Sequence, residues 1–85
     1  MLLFSVEHLV SVMDAVALQV PQDVMNAGWI TDARAVINSA YYTAPEAMHI
    51  RYIEFAQVCS EYFDHEAPYA SAARTIIKNS FTAVQ

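Results

Sequence analysis

Eighty-five residues, 56% of them apolar, with one glycine and nine acids against four Lys and Arg, describe one small acidic domain that is short of interior. The formal charge of −5 leaves no clustered basic surface for phosphates and so argues against direct nucleic-acid binding. A lone cysteine, Cys59, excludes an internal disulfide and fits a reduced, cytoplasmic setting. No apolar run approaches the ~18 residues of a membrane span, and the start lacks the basic region of a signal peptide.

The apolar share exceeds the ~45–50% typical of soluble domains. Alanine accounts for part of it; the rest includes five Tyr, four Phe and four Met with many Val and Ile. Part of this set is expected in a protein–protein contact rather than in the core. All nine acids fall at or before Glu66, so residues 1–66 carry a net −7 against Arg34 and Arg51, and Arg74 and Lys78 make the rest +2. An acidic body of this kind attracts a basic partner surface.

Leu2, Val6, Leu9, Met13, Val16 and Val20 recur at three- and four-residue steps and predict a first helix, ended by Pro21. Pro21 opens a short second helix to about Ala27, and Gly28 suits its left-handed closing position. Thr31 is the expected N-cap of a third helix to about Tyr42, whose stripe is Ala33, Val36, Ile37, Ala40 and Tyr41. Thr43 and Glu46 have capping-box spacing with Pro45 between them, and predict a fourth helix from Pro45 to about Phe63. Its inner face is Met48, Tyr52, Phe55, Cys59 and Tyr62, widened by Ile53, Ala56 and Phe63, which places it at the centre of the bundle. After the breaker at residues 64–67 a last helix runs from Pro68 to Phe81, with Tyr69, Ala72, Ala73, Ile76 and Ile77 inward. The fold class is therefore all-α, a compact bundle of four to five short helices in a single domain over residues 1–85.

No assembled chemistry stands out. The Gly28 turn has the layout of a helix-turn-helix, with Asp32, Arg34, Ala35 and Asn38 toward a groove. Few positive charges support it. Glu46 and His49 have the spacing of a carboxylate-bridged di-metal site, and Glu61 and His65 form a second carboxylate–imidazole pair. A full site needs more ligands than these. Cys59 lies on the apolar face of the fourth helix, where thiols are inert. No cofactor and no metal are expected.

The tyrosines carry the functional reading. Tyr41 and Tyr42 are adjacent, point about 100° apart on a helix and cannot both be central in one core. Tyrosine at a surface suits an interface, because it buries a large area and keeps a polar tip. The expected partner-binding set is Tyr41, Tyr42, Tyr52, Tyr62 and Tyr69 with the acids Glu54 and Glu61. The function expected is that of a non-catalytic inhibitor or modulator that occupies a surface of another protein, such as a basic nucleic-acid-binding one, with self-association into a homodimer. In type it resembles the small acidic helical inhibitors encoded by phages and mobile elements, anti-CRISPR proteins among them. That resemblance is of size, charge and helicity; no motif of a family stands in the chain. A dimeric helix-turn-helix regulator and a di-metal helical enzyme are the alternatives.

Overall fold

The computed structural model describes residues 4–82, which form an all-α bundle without strands. The helices are α1 (Val6–Ala17), a single turn α2 (Gln22–Val24), α3 (Ile30–Ala40), α4 (Met48–Tyr62) and α5 (Pro68–Thr82). A π-turn over Met25–Trp29, kinked at Gly28 where the backbone is not helical, joins α2 to α3, and a 3-10 turn over Pro45–Ala47 leads into α4. The radius of gyration, 12.3 Å, matches the ~12 Å of a packed domain of this length. The side chains left outside are therefore not the result of a loose fold.

α3 packs along α4, α1 packs along α5 and α1 crosses to α3. One core results, with Leu9, Val12, Val16 and Val20 from the first segment, Trp29, Ala33, Val36, Ile37 and Ala40 from the second, and Met48, Tyr52, Phe55, Cys59 and Phe63 from the third. α5 supplies only small core residues, Ala70 and Ala73. Its Ile76 and Ile77 are half-buried against that core. Fully hiding a side chain such as Leu9 or Phe55 contributes roughly 1.5–3 kcal/mol, so α1, α3 and α4 provide most of the stabilisation.

Two aromatic groups hold the ends of the bundle. Trp29 meets Phe63 at 5.8 Å and Phe55 at 6.3 Å between ring centroids. At the other end Phe4 stands edge-on to Tyr52 (4.8 Å) and to Phe81 (5.7 Å), fixing both chain ends against α4. The Tyr52 hydroxyl completes that clamp. It donates to the Ser5 carbonyl at 2.9 Å and accepts from the Ser5 N–H at 3.3 Å. Ser5 is also the N-cap of α1, where its hydroxyl accepts from the His8 N–H at 3.1 Å and satisfies one of the orphan donors of the first turn.

Several local expectations need correction. α1 stops at Ala17, before Pro21, and Val20 reaches the core from the connection. Leu2 lies outside the described residues. Gly28 takes the expected positive φ, +121°, and the backbone leaves helical geometry there, kinking between α2 and α3. The cap after it differs from expectation: α3 begins at Ile30 without a side-chain cap and Thr31 is simply exposed. Thr43 bonds backward rather than forward. Its hydroxyl donates to the Ser39 carbonyl at 2.8 Å, closing α3, and no capping box forms at Pro45. Tyr41 is 61% exposed and Ile53 45%, so neither belongs to the inner stripe to which periodicity assigns it. α4 is thus covered on one side only.

Candidate functional site

The five tyrosines divide into two kinds. Tyr52 is buried and serves the Ser5 clamp, so it cannot meet a partner. Tyr62 is half-buried, and its hydroxyl donates to the Asp32 carboxylate at 2.6 Å, tying α4 to α3. Tyr69 is also half-buried, packs edge-on to Phe63 at 5.2 Å, and its hydroxyl accepts from the Asp64 N–H at 2.8 Å. These three fasten the bundle. Tyr41 and Tyr42 make no such bond, and Tyr42 is 93% exposed.

The two hydroxyls with the most committed protons titrate above the ordinary tyrosine value. Burial is the main cause for Tyr52. For Tyr62 it is the bond donated to the Asp32 carboxylate. Both are anchors rather than acid–base groups.

Four of the most exposed large apolar side chains lie between residues 41 and 53. Tyr41 and Tyr42 end α3, and Ile50 and Ile53 stand one turn apart on the first half of α4. Residues three apart share a helix face, so the two isoleucines form a short apolar ridge. Only the 3-10 turn and its flanking residues separate the two pairs along the chain, so both lie toward the end of the bundle where α3 gives way to α4. Exposed Glu46 lies in that turn. Glu54 flanks the ridge and pairs with half-buried Arg51 at 3.1 Å. Glu61 is exposed at the far end of α4. The isoleucines are the part of this surface that the sequence reading missed, because periodicity shows which residues share a face and not how far a neighbour covers it.

The other constellations do not assemble. Asp32 is committed to Tyr62, and α2 is a single turn, too short to brace a recognition helix across a DNA backbone. Arg34, Ala35 and Asn38 are exposed on α3 without further basic support. Glu46 and His49 are both exposed, while His65 Nε2 contacts the Ser60 carbonyl at 2.9 Å rather than Glu61. Among the described residues no three His, Cys, Asp or Glu side chains are grouped to hold a metal ion. Among them, too, no helix is long and apolar enough to cross a membrane.

Cys59 is buried at the base of α4 with its thiol pushed up to about 11, chiefly by desolvation. The Trp29 indole N–H faces this sulfur but finds no full hydrogen-bond acceptor there, since thiol sulfur accepts weakly. The expected result is that Cys59 resists iodoacetamide in the native protein at pH 9, where an ordinary thiol is half ionised, and reacts once the chain is unfolded. Mass spectrometry of the labelled protein checks this. The folded pKa is the higher one, so the thiol's contribution to stability is whole below pH 9.0 and is lost as pH rises toward about 11. Cys59→Ala should flatten that alkaline decline.

Comparison with protein-family models, with curated proteins and with solved structures finds no match to this chain.

Proposed function

We propose that the chain is a non-catalytic protein-binding module, an inhibitor or modulator that works by covering a basic surface of another protein with the α3–α4 corner. The observation that supports this is the exposure of Tyr41, Tyr42, Ile50 and Ile53 on a bundle that hides Trp29, Tyr52 and Phe55 almost completely. Tyr42 contributes almost nothing to its own fold by burial, while an aromatic anchor of this kind supplies much of the affinity at an interface. The surrounding acids would speed encounter with a positive partner, and salt would slow it. The same corner offers an apolar contact for a second copy, so a homodimer belongs to the proposal.

Affinity capture from the source cells, followed by mass spectrometry, tests the reading. A basic protein should be retained by the parent chain and fall by at least about tenfold with Tyr42→Ala, a loss of ~1.4 kcal/mol. Tyr42→Ala should leave the unfolding free energy within about 0.5 kcal/mol of the parent, as expected of an exposed position. A partner indifferent to both Tyr42→Ala and Ile53→Ala would refute the corner as the binding surface. An empty capture, with the chain monomeric in solution, would refute the module itself.

A further inference from the structure

On a different face, α4 and α5 meet at their ends, through Phe63 with Tyr69 and Tyr52 with Phe81, and a groove of about 410 Å³ opens between them. Its wall is apolar: Ala56 and Phe63 come from α4, Ala73 and Ile77 from α5. The buried residues that line it are mostly small, Ala70 and Ala73 on α5 and Cys59 on α4, which leaves room between the helices.

The rim is cationic. Arg74 and Lys78 stand four residues apart on α5, one helical turn, and both line the groove. They are the only Lys or Arg after Glu66, in a chain whose first 66 residues carry a net −7. Arg74 reaches the His65 carbonyl with both terminal nitrogens at 3.5 Å, the outer limit of a hydrogen bond. Its guanidinium fork is thus only weakly engaged and can turn to a stronger acceptor. A carboxylate matches such a fork through two parallel charge-assisted bonds.

The volume decides what kind of anion enters. It falls within the ~300–1,000 Å³ of small-molecule sites. A protein helix is about 10–12 Å across, and a cylinder that wide fills 410 Å³ within about one turn. The groove would thus take in little of a docking helix, whereas it can hold an extended alkyl chain along its length. We infer that the α4–α5 groove binds a long-chain carboxylate, with its alkyl chain along Ala56, Phe63, Ala73 and Ile77 and its head group on the Arg74 side of the rim. This site is independent of the α3–α4 corner and of the reading built on it.

The test is titration of isotope-labelled full chain with dodecanoate below its micellar concentration, beside dodecanol and dodecyltrimethylammonium at the same chain length. Dodecanoate should bind saturably, with methyl shifts centred on Ala56, Ala73 and Ile77. The alcohol and the cation should bind at least tenfold more weakly. The paired change Arg74→Gln with Lys78→Gln alters two exposed residues and should cost dodecanoate at least tenfold while leaving dodecanol unchanged. Ala56→Leu should fill the groove and abolish the shifts; if that variant unfolds, the glutamine pair decides alone. Absence of saturation, shifts spread over the whole surface, or equal affinity for all three amphiphiles would overturn the assignment.

Discussion

Trp29→Ala is expected to destabilise the protein by about 3–5 kcal/mol, the range found for removing a large buried aromatic. A domain of 85 residues has only about 4–13 kcal/mol in total, so this one change removes a large share of it. Trp29 is fully buried and sits on the π-turn where α2 bends into α3. From there its ring reaches Phe55 on α4 and Phe63 at that helix's end. Its loss therefore leaves a cavity where three segments meet, and neither phenylalanine can move to fill it without leaving its own contacts. Urea unfolding followed by far-ultraviolet circular dichroism measures the effect. Trp29→Phe is the control. It keeps most of the apolar volume and removes the indole N–H that lacks an acceptor, and a swap that conserves this much core volume should cost under about 1.5 kcal/mol. A Trp29→Ala midpoint close to that of the parent would mean that the core is not centred on this ring.

The stripes of the main helices were legible in the sequence because they repeat at the helical period. Leu9 and Val16, then Ala33, Val36, Ile37 and Ala40, then Met48, Tyr52, Phe55 and Cys59 are all buried where spacing predicts. What spacing cannot supply is the width of the covered arc. Ile53 shares a helix with Phe55 but faces a side that no neighbour reaches, and Tyr41 lies just past the end of α3. Caps were harder still. Thr43 has a plausible partner on either side, the Glu46 N–H ahead or the Ser39 carbonyl behind, and the path of the chain out of α3 selects Ser39. Ser5 lies in an apolar run, and the group that clamps it, the Tyr52 hydroxyl, is 47 residues away.

The candidate surfaces divide along the same line. Adjacency alone requires that Tyr41 and Tyr42 cannot both be central, and both prove exposed. The roles of Tyr52 and Tyr62 as fasteners depend on distant partners, Ser5 and Asp32, which no local pattern announces. Tyr69 finds its partner only five residues back, at Asp64, and was legible in principle as a loop anchor. The α4–α5 groove was invisible, because it is made by small side chains, and alanines in a sequence read equally well as helix formers, surface filler or empty space.

Gly28→Ala is expected to cost about 2–4 kcal/mol, although it adds a single methyl group at a half-exposed position. Two causes act together. The backbone at Gly28 has φ +121° and ψ 0°, a region L-residues occupy only at about 1–3 kcal/mol of strain. A Cβ there would also lie 3.1 Å from the Tyr62 hydroxyl oxygen. A flexible side chain would normally yield. This one is held by the 2.6 Å bond to Asp32, so yielding means losing a charge-assisted hydrogen bond. The two causes separate in a double-mutant cycle with Tyr62→Phe, which removes the crowded oxygen and its bond at once. If contact contributes, the double variant is more stable than the sum of the single losses implies, by the share of the Gly28→Ala cost that the hydroxyl imposes. If strain alone acts, the two losses add. In either case the backbone share persists, because nothing at residue 62 relieves a positive φ at residue 28. A Gly28→Ala protein as stable as the parent would show that the bend between α2 and α3 forms without the left-handed residue on which the placement of Trp29 depends.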